Sequence, residues 1–232
     1  MAKKQEYGNE SIKSLKGAER VRKRPAVIFG SDGIEGCEHS IFEIMSNSID
    51  EAREGYGKKI IITKYLDGSV EVQDFGRGIP VDYNKNEGKF NWELLFCEMY
   101  AGGKYDNGGD NYEFSLGLNG LGLCATQYAS EYMDAEIKSG GYKYTLHFEH
   151  GENVGGLVKE EYKKRGDTGT RIKWKPDLKV FTDINIPVEY FEKTIKRQAI
   201  VNDGIKFVFK NQISSASFDT KEYCYENGIQ DY

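Results

Sequence analysis

The chain has 232 residues and a mass of 26.3 kDa, enough for one large domain or two small ones. Its 38% hydrophobic and 30% charged residues supply both a packed core and a solvated surface, which excludes a disordered chain. A net charge of −5 excludes a basic nucleic-acid binder acting alone, because phosphate contacts need clustered Lys and Arg. No apolar run is long enough to span a membrane, and the two N-terminal lysines precede no apolar stretch, so the expected location is the cytoplasm. Cys37, Cys97, Cys124 and Cys224 lie far apart without a CxxC pair, which fits reduced, structural thiols.

In chain order, residues 1–33 form an expected N-terminal arm with a short helix over about 11–22, stopped by Pro25. A longer helix is expected over about 37–54. Strands follow at 58–66 and 69–74, joined by Asp67-Gly68, a strong hairpin signal. A second helix covers about 92–100, and a third runs from about 120 to 128 after glycine-rich sequence. The second half reads mostly as strand: 132–138 and 142–150 flank Gly140-Gly141, and 157–164 and 170–176 flank the turn 166–169. A helix over 187–201 places Pro187 at its first position. IKFVFK, 205–210, then closes the sheet. This irregular alternation of helices with hairpins describes an α+β two-layer sandwich with helices on one face.

Glycine is the compositional outlier, with 27 of 232 residues, or about 12% against a usual 7%. The glycines concentrate at 76–78, 102–109 and 117–122, where backbone must bend or approach a ligand closely. On the helix over 37–54, Ile41, Ile44, Met45, Ser48, Ile49 and Ala52 form one face. His39, Glu43, Asn47 and Asp50 fall opposite, within a stripe of roughly 80°. A carboxylate there can polarise water, and an Asn carbonyl oxygen suits Mg²⁺. After the strand SVEVQ, Asp74-Phe-Gly-Arg-Gly-Ile-Pro80 sets an acceptor carboxylate over glycine backbone; Pro80 and the missing third glycine argue against a dinucleotide fingerprint. Lys104 is not followed by Ser or Thr, so Ala101-Gly-Gly-Lys104 is no P-loop. Gly117, Gly120 and Gly122 still open a helix and offer free backbone N–H groups to an anion.

ExxxN on a helix, DxGxG after a strand, GxxGxG opening a helix and Gly169-Thr170 before a strand, in that order, resemble the GHKL ATPase family. Within it, SIKSLKGAERVRKRPAVIFG, FEIMSNSIDEA, DFGRGIP, AGGKYD and TGTRIKWKPDLKVF look like the ATPase domain of type IIA topoisomerase B subunits, gyrase B or topoisomerase IV B. The resemblance covers about 7–232. It implies the Bergerat-type sandwich with a mixed, mostly antiparallel sheet, an arm over 1–33 and an ATPase domain over 34–232. The transducer and later domains of the family are absent from this chain.

The resemblance also implies roles. Glu43 is then the general base for the attacking water, supported by His39. Asn47 holds Mg²⁺, with Asp50 among the nucleotide-binding residues. Asp74 accepts from the adenine amino group, with Gly78, Ile79 and Thr170 beside it and an ordered water between. Lys104 and the backbone of Leu118, Asn119, Gly120, Leu121, Gly122 and Leu123 close over the phosphates. Tyr112 matches a lid tyrosine, and Tyr7 one that reaches across a dimer. Arg77 and Pro80 match the pocket rim where aminocoumarins bind in the family. ATP and Mg²⁺ are the implied cofactors. The implied partners are a topoisomerase A subunit, DNA and a second copy joined through the arm in an ATP-dependent manner. A membrane is not among them.

Bacterial gyrases usually carry GGLHGVG where this chain has LGLNGLG, so Leu116 and Asn119 depart from the pattern. Ser139 stands where a basic residue helps bind aminocoumarins, which lowers the affinity expected for them. Two alternatives share the motifs: ATPases of the chaperone and mismatch-repair type, disfavoured by RKRPAVIFG and AGGKYD, and histidine kinase catalytic domains, which usually lack the water-activating Glu.

Overall fold

The computed structural model describes residues 14–100, 122–164 and 166–231. Its first helices are α1 (Ala18–Lys23) and α2 (Pro25–Phe29). Pro25 both stops one helix and starts the next. It confines Arg24 to a non-helical backbone (φ −139°, ψ 52°), then serves at the first position of α2, where its missing N–H costs nothing. The helix expected over 11–22 therefore begins later, at Ala18 among the described residues. Both short helices are packed down: Val21 and Phe29 join the core.

The long helix α3 (Ile34–Arg53) runs on one buried stripe, with Ile41, Ile44, Met45 and Ile49 all sealed at 3.6-residue spacing. Then come β1 (Lys59–Lys64) and β2 (Val70–Asp74), an antiparallel pair in register Ile60 with Asp74. The turn forms as expected. Gly68 takes φ 83°, and Oδ1 of Asp67 accepts from both the backbone N–H and the hydroxyl of Ser69. A two-residue pair, β3 (Tyr83–Asn84) and β4 (Lys89–Phe90), leads into α4 (Asn91–Cys97), which ends three residues short of the expected 100. The chain re-enters at α5 (Gly122–Tyr128) and continues as β5 (Ser130–Ser139), β6 (Tyr142–Glu149), β7 (Glu152–Glu161) and β8 (Gly169–Pro176). Next is α6 (Val188–Val201), with Pro187 extended at its N-cap, one residue outside the expected helix. The strands end with β9 (Lys206–Ser214) and β10 (Ser217–Tyr223).

Eight strands form one sheet in the order β10-β9-β1-β2-β8-β5-β6-β7, antiparallel everywhere except between β1 and β9. This matches the expected two-layer sandwich, with one correction. IKFVFK does not close the sheet, because β10 continues past it and forms that edge. Alternation sets the two faces: Val70, Val72, Ile172, Trp174, Phe207 and Phe209 turn into the core, while Glu71, Gln73, Arg171 and Lys173 turn away from it. Helix α3 packs on β1, β2 and β8, α5 on β5, and α6 on β9 and β10. Trp174, fully buried, donates its indole N–H to the carbonyl of Thr126 at 2.9 Å, which fixes α5 over the sheet. Arg22 ties α1 to the same region. Its guanidinium donates to the carbonyls of Tyr128 (3.0 Å) and Ser130 (3.1 Å) and reaches the Asp177 carboxylate.

Candidate functional site

The site is built where α3 crosses the ends of β2 and β8. On α3, Nε2 of His39 lies 3.2 Å from Oε1 of Glu43, one turn on. Asn47 follows a further turn along, half-buried, and its side chain forms no hydrogen bond among the described residues. Gly122, the first residue of α5, rests on Glu43 so closely that a Cβ there would stand 1.9 Å from Oε2 and 2.7 Å from Cδ. Only glycine lets the chain pass the carboxylate at that distance. Asp50, placed by periodicity on the same polar stripe, is instead buried at 5% exposure. Of that stripe, His39, Glu43 and Asn47 are the residues left open to solvent.

At the end of β2, Asp74 is 8% exposed. Its Oδ1 accepts the backbone N–H groups of Gly76 and Thr170, each at 3.1 Å, and its Oδ2 accepts the Ser48 hydroxyl at 2.8 Å. Burial pushes this carboxyl above the ordinary range, the three donors pull it back, and the charge of Glu51 adds to the rise. Gly169 is required here: it adopts φ 143°, and a Cβ would meet the Asp74 carbonyl oxygen at 2.2 Å. That close approach brings the Thr170 N–H to the carboxylate. The Thr170 hydroxyl in turn accepts the N–H of Ile79 at 3.1 Å, so β8 holds the loop after β2.

That loop forms a rim. Gly78 takes φ 82°, and a Cβ on it would meet the Lys138 carbonyl oxygen at 2.8 Å and Cβ of Ser139 at 3.2 Å. Ser139 thus stands directly beside the rim glycine. Arg77 is held by Glu51 through its backbone N–H (2.8 Å), Nε (2.9 Å) and Nη2 (2.8 Å), by Glu54 at 2.6 Å, and by stacking 3.7 Å above the Tyr56 ring. Pro80 is exposed at the end of this segment.

The structure therefore brings together Glu43, His39, Asn47, Gly122 and Leu123 on one side, and Asp74, Gly78, Ile79 and Thr170 on the other. The expected contributions of Tyr7, Lys104, Tyr112, Leu116, Leu118, Asn119, Gly120 and Leu121 lie outside the described residues. Ser48, Glu51, Glu54 and Tyr56 also belong to the site, and none of them stood out in the sequence as a functional residue. A serine on an otherwise apolar helix face was the available signal for Ser48.

A groove of about 500 Å³ lies on the uncovered face of the sheet, lined by Glu71, Asp134, Glu136, His147, Arg171 and Lys173. Within it Arg171 pairs with Glu136 at 3.0 Å and His147 with Asp134 at 2.6 Å, while Lys173 lies over the Tyr65 ring. It is separated from Asp74 by the sheet itself, since Glu71 and Asp74 point to opposite faces of β2.

Among the described residues, no group of three or more His, Cys, Asp or Glu can enclose a metal. The donors fit a Mg²⁺ ion that shares its oxygens with phosphates and water, for which one protein oxygen such as that of Asn47 suffices. No helix among the described residues is long and apolar enough to cross a membrane.

Residues 34–180 match the family model for histidine kinase-, DNA gyrase B- and HSP90-like ATPases. The chain is 36% identical over 228 residues to the B subunit of DNA gyrase from Thermotoga maritima, covering 98% of this chain and 35% of that protein. It is 40% identical over 204 residues to the type 2 topoisomerase B subunit of Aquifex aeolicus, covering 88% and 25%. Against the B subunit of DNA topoisomerase 4 from Staphylococcus aureus it is 36% identical over 236 residues, covering 100% and 34%. The chain thus spans about a quarter to a third of the length of these relatives. Among solved structures, the 43K ATPase domain of Thermus thermophilus gyrase B in complex with an aminocoumarin matches with a TM-score of 0.77 at 30% identity, over 93% of this chain and 53% of that one. The topoisomerase IV ATP-binding domain of Francisella tularensis, in complex with a small-molecule inhibitor, matches with a TM-score of 0.76 at 30% identity, over 92% and 55%. The order of motifs, the sheet topology and these likenesses agree: the chain belongs to the histidine kinase-, DNA gyrase B- and HSP90-like ATPase family.

Proposed function

We propose that this domain binds ATP with Mg²⁺ against α3 and hydrolyses it, and that in its longer protein it acts as the ATP-operated gate of a type II DNA topoisomerase. The observation that carries the proposal is the economy of α3. One helix supplies Glu43, Asn47 one turn later, and the Ser48 hydroxyl on the carboxylate of Asp74. Base, metal oxygen and adenine acceptor are then held in fixed relation by a single rigid element. The gyrase and topoisomerase relatives, at 36–40% identity, favour this reading over a chaperone or a kinase.

Asp74 binds the nucleotide by accepting from the adenine amino group, with Gly78 and Thr170 completing the contact through an ordered water. Arg77 and Pro80 form the outer edge of the base pocket, and Arg77 is held ready by Glu51, Glu54 and Tyr56. Glu43 draws a proton from the attacking water, and His39 fixes the orientation of its carboxylate. Asn47 would hold a Mg²⁺ ion, which when bound would supply positive charge against the phosphates. The start of α5, at Gly122 and Leu123, offers backbone to the phosphates, and the domain pairs with a second copy when ATP is bound. In the longer protein, such pairing captures a DNA segment, a topoisomerase A subunit cuts the duplex, and hydrolysis resets the gate.

The test is phosphate release from Mg·ATP by wild type and Glu43→Gln, with nucleotide affinity measured alongside. Loss of a general base costs about 10²–10⁴-fold in rate. The proposal expects that loss with affinity retained. Equal rates in the two proteins would remove Glu43 from the mechanism.

A further inference from the structure

Arg22 and Asp177 form an ion pair largely closed off from solvent, with side chains 18% and 4% exposed. Together they grip the exit of α5 at three successive carbonyls. Nη1 of Arg22 donates to those of Tyr128 (3.0 Å) and Ser130 (3.1 Å), and the Asp177 backbone N–H donates to that of Ala129 at 3.2 Å. The Asp177 carboxylate holds the guanidinium in place. Its Oδ2 accepts Nη2 of Arg22 and lies 2.8 Å from Nδ1 of His150, and its Oδ1 accepts the Lys179 N–H at 2.8 Å. His150 reaches it from a left-handed backbone, φ 50°, which strains a non-glycine residue. Gly151 presses on the same joint: a Cβ there would meet Cβ of Ala18 at 2.7 Å and the Tyr128 carbonyl oxygen at 3.3 Å.

α5 has only seven residues, about 10 Å of helix, so its two ends move as one piece. Its middle is a pivot: the Thr126 carbonyl accepts the Trp174 indole N–H at 2.9 Å, and the Thr126 hydroxyl donates to the Ser40 carbonyl of α3 at 3.2 Å. Its other end is Gly122, seated on the Glu43 carboxylate. We infer that Arg22 is a positioning residue for hydrolysis: by holding the carbonyls at the exit of α5, it sets the seat of Gly122 against Glu43. This rests on the base role proposed for Glu43. A buried ion pair is by itself a weak source of stability, because desolvation offsets the attraction. Without the guanidinium, two of the three carbonyls lose their donor and α5 can tilt about Thr126. The tilt displaces Gly122, and a misplacement of about 1 Å can cost about 10²-fold in rate. α5 makes none of the hydrogen bonds to Asp74, so nucleotide affinity should change much less.

The experiment uses wild type, Arg22→Ala, Arg22→Lys, Gly122→Ala, Glu43→Gln and Arg22→Ala combined with Gly122→Ala. Phe191→Leu, in the core between α6 and β9, is a destabilised control remote from α5. Phosphate release from Mg·ATP, affinity for a non-hydrolysable ATP analogue and the urea midpoint are measured for each. The Gly122 amide and the Glu43 carboxyl carbon are followed by NMR in nucleotide-free protein. Arg22→Ala is expected to release phosphate about tenfold more slowly, with both resonances displaced and affinity little changed. Arg22→Lys keeps a charge opposite Asp177, and hence the fold, but replaces the planar fork by a compact ammonium. It should hold the urea midpoint near wild type and still slow release and displace Gly122. The combined variant should be no slower than Gly122→Ala, because both substitutions act through one contact. Losses that multiply in the combined variant would overturn the inference. So would unmoved Gly122 and Glu43 resonances in the Arg22 variants, or a slowing that Phe191→Leu matches at the same urea midpoint. If Glu43→Gln is inactive while both Arg22 variants keep the wild-type rate, the inference fails and the base role stands. If Glu43→Gln keeps that rate while the Arg22 variants displace both resonances, the base role fails and the positioning of α5 by Arg22 stands.

Discussion

The Glu43 carboxylate rests directly on the Cα of Gly122, where a single methyl group would stand 1.9 Å from Oε2 and 2.9 Å from Cβ of Glu43. The flexible tip can swing away, but the Cβ contact cannot be relieved without moving α3 or α5. Gly122→Ala is therefore expected to displace the proposed base while leaving Asp74 untouched. Phosphate release should fall at least about tenfold, with analogue affinity much less affected. Equal slowing and weakening would instead mean that Gly122 serves binding alone.

Gly169 is constrained by backbone on both counts, with φ 143° and the Asp74 carbonyl oxygen 2.2 Å from any added Cβ. Alanine at this position carries strain of about 1–3 kcal/mol from its conformation, before the clash is counted. Urea unfolding of Gly169→Ala should show a loss of at least that size. The same variant should bind the ATP analogue weakly, because the Thr170 N–H leaves Asp74.

The Arg22–Asp177 pair is tested by acid. Burial alone would push the Asp177 carboxyl up, but the Arg22 guanidinium, the Lys179 N–H and His150 outweigh it and hold the group below its ordinary range. A carboxyl lowered in the folded state contributes stability that is present above its unfolded value and lost as pH falls through the folded one. Below about pH 4, the ordinary carboxylate value, wild type should begin to lose this contribution, while Asp177→Asn has none to lose. At neutral pH, breaking the pair should cost about 3 kcal/mol, read as a shift in the urea midpoint.

His147 shows the opposite sign. Asp134 at its Nδ1 raises its pKa, burial opposes the rise, and Glu149 at its Nε2 adds to it. Stability from this imidazolium is fully present below about pH 6.5, the ordinary histidine value, and is lost as pH rises through the higher folded value. His147→Gln should therefore flatten the pH dependence of the urea midpoint above neutrality. An unchanged slope there would remove His147 as its source.

Much of the fold was legible because local signals and tertiary packing agree. The four apolar residues Ile41, Ile44, Met45 and Ile49 repeat at helical spacing and are all buried, and Asp67-Gly68 turns the first hairpin as its residues require. β10 was not legible: SFDTKEY lies on an exposed edge, so no buried alternation marks it. Asp50 falls on the polar stripe by helical count, yet tertiary packing buries it, which no local window reveals. Ser48 and Gly169 were visible as a buried-face serine and a turn glycine. Their meeting on Asp74 depends on α3, β2 and β8 coming together, which no local window contains. Arg22 and Asp177, 155 residues apart, are separated in the same way.

The central claim is that the buried carboxylate of Asp74 reads an adenine nucleotide. Calorimetric titration of Mg²⁺ with a non-hydrolysable ATP analogue into wild type and Asp74→Ala tests it most directly. Losing one buried charged acceptor should weaken binding by roughly 1.5–3 kcal/mol, about ten- to a hundredfold. Equal affinity in the two proteins would contradict the account and place the nucleotide away from Asp74.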